Sequence, residues 1–219
     1  MSTPVALNCV VAQAQTPPSA QEIAAYQGVH LAAHQGDAEG LREFIREGAD
    51  VDGRDGHGRT AAHVAAFASH DDALRVLAEA GADMNALENG RYDVVTIASV
   101  LDDRELVSLA IKLGNRPDNI TSIYDGTALI AAAHLGHHRV VEVLIGEGAP
   151  LDHVNNLGWT ALMEAVILGD GGEDHTSTVQ ALVEAGADVT IADRAGRTPL
   201  EHAQARGYSE IIDILKRGR

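Results

Sequence analysis

Thr127-Ala128-Leu129-Ile130-Ala131-Ala132-Ala133-His134-Leu135-Gly136, continued by His137 to Ile145 and closed by Gly148-Ala149-Pro150-Leu151-Asp152, decides the fold. A threonine hydroxyl at a helix start satisfies free amide donors. A glycine suits the left-handed residue that ends a helix. Val140, Val141, Leu144 and Ile145 then follow helical spacing, so a second helix begins at once. The unit reads as short helix, tight turn, longer helix, extended loop. Its closing glycine recurs at Gly48, Gly81, Gly114, Gly148 and Gly186, at intervals of 33, 33, 34 and 38 residues. A period near 33 with a turn at its close indicates stacked helix–turn–helix units. Such an array offers a long continuous surface and has no inherent catalytic pocket.

Composition narrows the function. The 219 residues are 45% hydrophobic but only 3% aromatic, so the core is built from Ala, Leu, Val and Ile. The formal net charge is −16. That argues against nucleic acid, whose phosphates need clustered Lys and Arg, and mildly favours basic protein partners. Cys9 is the single cysteine, which excludes an intrachain disulfide and a cysteine metal cluster. No run of 18 apolar residues occurs, so no transmembrane segment is expected.

Residues 1–24 read as a tail. Met1 to Val11 is mildly apolar, Ala12-Gln13-Ala14 matches an A-x-A cleavage pattern, and Gln15-Thr16-Pro17-Pro18 follows as an exposed terminus. These features resemble the end of a signal peptide, but no Lys or Arg precedes Arg42. Export would place the protein in the periplasm or outside the cell; a cytosolic tail is the other reading. Ser19 to Tyr26 is expected to begin a capping segment, and Ile211 to Leu215 with Lys216 and Arg217 an opposite cap.

Gly58-Arg59-Thr60-Ala61-Ala62-His63-Val64-Ala65-Ala66, with Gly81-Ala82-Asp83-Met84-Asn85, carries a specific resemblance. So do the openings Gly158-Trp159-Thr160-Ala161-Leu162 and Gly196-Arg197-Thr198-Pro199-Leu200. The pattern G-x-T-P-L-H-x-A-A followed by G-A-D-V-N resembles the ankyrin repeat. The resemblance covers residues 25–219 and implies an all-α ankyrin-repeat solenoid. Its six or so units start near Gln27, Thr60, Asp93, Thr127, Thr160 and Thr198. It further implies β-hairpin-like finger loops between units, Thr60, Thr127, Thr160 and Thr198 as helix caps, and His63 as a bond between units.

Three departures from the pattern need a reading. Unit 3 opens with Arg91-Tyr92-Asp93 and closes with Gly114-Asn115-Arg116-Pro117-Asp118-Asn119. Either the joint has drifted, or Tyr92, Asp93, Tyr124 and Asp125 form a specialised patch. Unit 5 carries about five extra residues within Gly169 to Thr178, read as a surface loop with Ser177 or Thr178 capping the following helix. The acids there lack calcium-loop spacing. His134, His137 and His138 resemble a metal set, but Gly136 breaks the helix between them and no four-ligand set is visible. No metal or cofactor is expected. Catalytic signatures such as G-x-S-x-G, the P-loop and H-E-x-x-H are absent from the sequence.

The family's partners usually dock on a concave face of loops and first helices. Carried over unit by unit, that face takes His57, Arg59 and Phe67 in unit 2, and Tyr92, Asp93 and Leu101 in unit 3. It takes Tyr124, Asp125, His134 and Leu135 in unit 4, and Asn156, Trp159 and Leu168 in unit 5. Ile123 and Leu157 fall on loops of the same face. The expected function is a non-catalytic, monomeric module that binds another protein there by shape and apolar burial. An immunity-type protein guarding against a toxin belongs to the same reading. The other class is a small-ligand or enzymatic protein with a pocket at the joint of units 3 and 4.

Overall fold

Each unit begins where a polar side chain fills the amide donors that open a helix. In the computed structural model, which describes residues 15–218, α1 (Ala20–Ala25) starts at a capping box between Ser19 and Glu22. Cys9 and the Ala12-Gln13-Ala14 pattern lie outside the described residues. Six helix pairs follow. They are α2 (Gly28–Gln35) with α3 (Ala38–Arg46), α4 (Ala61–Phe67) with α5 (Asp71–Glu79), and α6 (Val94–Val100) with α7 (Arg104–Lys112). Then come α8 (Ala128–Leu135) with α9 (His138–Gly146), α10 (Ala161–Ile167) with α11 (Glu173–Glu184), and α12 (Pro199–Arg206) with α13 (Ser209–Arg217). Thr127, Thr160 and Thr198 cap α8, α10 and α12, and Thr60 forms a capping box with His63 at α4. Asp93 does the same task for α6.

Stacking is nearest-neighbour. The first helices α2, α4, α6, α8, α10 and α12 pack in sequence, and the second helices α3, α5, α7, α9, α11 and α13 pack in a parallel row. Alanine dominates the first row: Ala33, Ala65, Ala66, Ala98, Ala132, Ala133, Ala165 and Ala203 are fully covered. Small side chains let these short helices approach closely. The second row supplies bulk through Leu41, Leu74, Leu77, Leu106, Leu144, Leu182 and Leu215. No helix could bury these faces alone, so each unit completes the next.

Histidines tie the units together. His63 Nε2 donates to the Tyr92 carbonyl at 3.1 Å, and its Nδ1 accepts the Thr60 amide at 3.1 Å. Burial lowers its pKa and keeps the ring neutral for this double role. His30 repeats the link to the Arg59 carbonyl at 3.0 Å. At the inter-helix turns, His70, His137, His175 and Tyr208 each donate to a carbonyl near the end of the preceding first helix, at His34, Ser99, His134 and Gly169. His137 is therefore a structural pin.

Two expectations fail. The inter-unit loops are not β-hairpins: no strand occurs among the described residues, and Thr121 and Gly126 make only an isolated antiparallel bridge. The reason is local. In the loop before unit 2, Asp55 Oδ1 accepts the amides of His57 at 2.8 Å and Arg59 at 2.9 Å. Asn155 and Asp193 do the same in the loops before units 5 and 6. Side-chain oxygens thus take donors that a strand ladder would have paired, as Asx turns do. The insertion in unit 5 is not a surface loop capped at its end either. Its residues lengthen α11, which starts at Glu173 after Gly172, so Ser177 and Thr178 lie inside the helix. Asp170 Oδ1 accepts the Gly172 amide at 2.8 Å, and Glu173 and Asp174 suit the positive helix start.

Candidate functional site

Among the described residues, the exposed large apolar side chains are Leu101 (45%), Ile120 (39%), Ile123 (50%), Leu135 (41%), Val154 (45%) and Leu157 (37%). All fall between residues 101 and 157. Leu101 and Leu135 each lie eight residues beyond the first-helix caps Asp93 and Thr127, on helices that pack together. Ile123 and Leu157 sit on adjacent loops, joined where the Asn156 amide donates to the Tyr124 carbonyl at 2.9 Å and Asn156 Nδ2 to the Ile123 carbonyl at 2.9 Å. The exposed apolar side chains thus mark both ends of the first helices across units 3 to 5, Leu101 and Leu135 at the turns and Ile123 and Leu157 on the loops.

Backbone bonds join the loops leading into units 2 to 5, with one change of register. The Asn89 amide donates to the His57 carbonyl at 3.0 Å, as Asn156 does to Tyr124. Between units 3 and 4 the bond instead runs from the Ser122 amide to the Arg91 carbonyl at 2.8 Å. Here the corner residues are unusual. Gly58, Gly158 and Gly196 hold the left-handed corner elsewhere, at φ 74, 88 and 78°. Arg91 and Asp125 hold it here at φ 66 and 53°, and Arg91 Nη1 meets Asp125 Oδ1 at 3.0 Å. A non-glycine residue in that region is strained by roughly 1–2 kcal/mol. A half-exposed ion pair returns at most about 1 kcal/mol.

Several of the expected contact residues stand on this surface. Leu101 and Leu135 are exposed, as are His57 and Asn156; Tyr124, Asp125, His134, Trp159 and Leu168 are half-buried. His134 Nδ1 lies 3.0 Å from the buried carboxylate of Glu164, whose other oxygen accepts from Asn155 Nδ2 at 2.9 Å. Phe67 and Tyr92 are partly buried against the core, and burial raises the Tyr92 phenol pKa.

Two expected contact residues are not available to a partner. Arg59 is buried, where it pairs with Glu22 and with Asp55 (2.7 Å). Tyr26 Oη donates to the same Asp55 at 2.8 Å, and His57 Nε2 lies 2.9 Å from Glu22. This latch holds α1, which buries no residue of its own, against the loop of unit 2. Bonds from the Ser19 hydroxyl and amide, helped by Arg59, hold the Glu22 carboxyl down to about 2. Burial raises Asp55, but the Arg59 amide and guanidinium, Tyr26 and the His57 amide outweigh it and bring it to about 2.

Asp93 is the second. It is buried and accepts from the Thr96 amide (2.9 Å) and hydroxyl (2.6 Å), Asn115 Nδ2 (2.8 Å) and Asn119 Nδ2 (2.9 Å). Asn115 Oδ1 in turn accepts the Val95 amide at 2.9 Å. The divergent turn of unit 3 is thus a capping system for its own helix. With both Asp93 oxygens engaged, the small-ligand reading loses its central acid.

Ile120 and Val154 were missed by the carry-over of the face. Their signal was available: each is a branched apolar residue inside an otherwise polar turn. Among the described residues no group of three His, Cys, Asp or Glu is arranged to hold a metal ion, and no helix is long and apolar enough to cross a membrane. Clefts of about 620 and 380 Å³ lie at inter-helix turns, beside Tyr208 and beside His70.

Paired helices stacked in two rows, with glycine-cornered loops between them, define a repeat solenoid. Known proteins say which one. The chain matches the family described as "Ankyrin repeats (3 copies)" over residues 14–88 and 95–193. It is 35% identical over 187 residues to the putative ankyrin repeat protein YahD of Escherichia coli, spanning 84% of this chain and 92% of that one. An ankyrin repeat domain from Acinetobacter baumannii superposes with a TM-score of 0.81 at 39% identity, covering 87% of this chain and 96% of the other. The ankyrin repeat protein EF0377 superposes with a TM-score of 0.80 at 32% identity, covering 87% and 98%. The chain belongs to the ankyrin-repeat family. Its fold and relatives are those of non-catalytic ankyrin-repeat proteins, a scaffold suited to protein–protein interaction.

Proposed function

We propose that this chain is a monomeric binding scaffold that holds a partner protein on the strip of loops and first helices in units 3 to 5. One observation carries the reading. The exposed large apolar side chains of the described residues all lie in that stretch, at loops or at the ends of first helices. Exposed apolar side chains gathered in one stretch of a surface mark contact sites. The strained corners Arg91 and Asp125 fall in the same place, and strain of that kind collects where a side chain is needed for function.

The test is affinity capture from native extract with wild type and a Leu101→Asp, Leu135→Asp variant. Both positions are exposed, so urea unfolding of the variant should stay close to wild type. A protein retained by wild type and lost with the variant supports the reading. Equal retention by both proteins sinks it. Light scattering that returned a dimer would overturn the monomeric part.

A further inference from the structure

We infer that the segment received by this strip is an amphipathic α-helix of the partner, lying along the stacking axis with a basic edge over the inter-helix turns. The inference rests on the docking reading above and adds the shape and charge of the occupant.

Shape follows from spacing. Leu101 and Leu135 occupy the same position on neighbouring packed helices, so they repeat at the interaxial distance of packed helices, roughly 8–10 Å. A helix rises 1.5 Å per residue, so residues seven apart share a face about 10.5 Å apart. A strand offers same-face side chains about 6.7 Å or about 13 Å apart, both further from that distance than the heptad. One heptad of an apolar helical stripe therefore advances by one unit of this array.

Charge follows from the two edges. A face lined by first helices is bounded by the loops where those helices start and by the inter-helix turns where they end. On the loop edge, Arg91 and Asp125 neutralise each other. The turn edge is acidic in units 2, 3 and 5, with Asp71 and Asp72, Asp102 and Asp103, and Asp170 and Asp174, while the turn of unit 4 carries His137, His138 and Arg139, so the basic edge of the partner is drawn to the unit 3 turn. Asp103 caps α7, and Asp170 and Asp174 have histidine partners. Among the described residues the Asp102 side chain has neither a hydrogen bond nor an ion pair; it is exposed and directly follows Leu101. It holds φ 57° where the corresponding turns of units 1, 4 and 6 place Gly36, Gly136 and Gly207. A carboxylate held in a left-handed conformation beside Leu101, at the unit 3 end of the strip, offers a cation of the partner a place to pair. Burial, then repulsion from Asp103, raises the Asp71 carboxyl, which reports the crowding of acids along this edge.

The test uses two lactam-stapled helical peptides of 15 residues and identical composition, titrated into isotopically labelled protein and followed by NMR. One has leucines seven apart with lysines along one flank; the other has the leucines five apart. The in-phase peptide should bind at least about tenfold more tightly and shift the amides of Leu101, Asp102 and Leu135. Asp102→Gly should weaken it several-fold while leaving the protein folded, and lysine-to-glutamate exchange in the peptide should abolish binding. Equal binding of the two phases, or no binding of either, overturns the helix inference. If both peptides move Leu101 and Leu135 equally, the docking face survives and the helix does not. If the shifts fall elsewhere, both fail.

Discussion

In the loop leading into unit 2, Gly58 takes the left-handed corner, Asp55 receives two amides, and Thr60 opens the helix in a box with His63. In the loop leading into unit 3, Arg91 takes the corner, Glu88 receives the Tyr92 amide, and Asp93 caps. The first arrangement is local and complete within nine residues. The second needs Asn115 and Asn119 from the far side of the unit to finish its cap. It also leaves a charged side chain, Arg91, at a corner where glycine would be relaxed. Two tasks have separated in the reading proposed above: the buried half of the unit 3 loop is stability machinery, and the strained exposed half is the part assigned to the partner.

Breaking the buried half should give the largest effect. Asp93→Ala removes a helix cap, worth about 1 kcal/mol, and takes one acceptor from the buried Asn115 amide and the half-buried Asn119 amide, which keep only Asn85 Oδ1, at roughly 1–3 kcal/mol more. We expect a loss of about 3 kcal/mol in urea unfolding; a loss no larger than that of Thr60→Ala would erase the contrast between the two caps. Next in size is Gly58→Ala. Its φ of 74° and the neighbouring Asn89 side chain leave no relaxed place for a Cβ, so a loss of about 1–2 kcal/mol is expected. A neutral result would show that corner chemistry does not distinguish the two loops.

Acid should act most strongly on the unit 2 side, because Glu105, Asp118 and Asp170, whose carboxyls are also lowered, are exposed. Glu22 and Asp55 sit near 2 in the fold, below the usual carboxylate values of about 4 in an unfolded chain. Depressed carboxylates lend their stabilisation above the unfolded value and lose it as pH falls toward the folded one. The α1 latch should therefore be intact at pH 6 and weaken between about pH 4 and 2. Hydrogen exchange at residues 19–26, corrected for intrinsic rates, should rise at pH 3 relative to units 3 to 5. Uniform exchange across the molecule would contradict a carboxylate latch. The smallest change is expected for Arg91→Gly. Relief of roughly 1–2 kcal/mol of strain is offset by glycine entropy of about 0.5–1 kcal/mol and loss of an exposed pair. Stability should move by less than about 0.5 kcal/mol while partner capture falls. A loss above about 1.5 kcal/mol would make Arg91 a structural residue.

What could be read in the sequence was whatever is encoded within one unit. The glycine period, the threonine caps and the apolar spacing are local signals, and the helix pairs followed from them. Residues whose role depends on a distant partner were misread. Arg59 looked like a loop contact because nothing near it announced Glu22, 37 residues earlier. Asp93 looked like a patch residue because its partners lie 22 and 26 residues ahead. The hairpin expectation came from resemblance, and Asp55, Asn155 and Asp193 undo it by taking the loop amides themselves. In unit 5, Asp-Gly-Gly suggested a loop, yet Glu173 and Asp174 turn the insertion into the first turn of a helix. The surface strip was half legible, since Leu101, Ile123, Leu135 and Leu157 follow from the carried-over face. Ile120 and Val154 lie outside that template.

The lengthened α11 has a practical consequence. The array has absorbed extra residues at an inter-helix turn while the loops on either side of it stay joined, Arg194 donating to the Asn156 carbonyl. A dye or a small tag inserted at exposed Gly172 would ride at the margin of the acidic edge. From there it would signal a ligand's arrival optically without standing in its way.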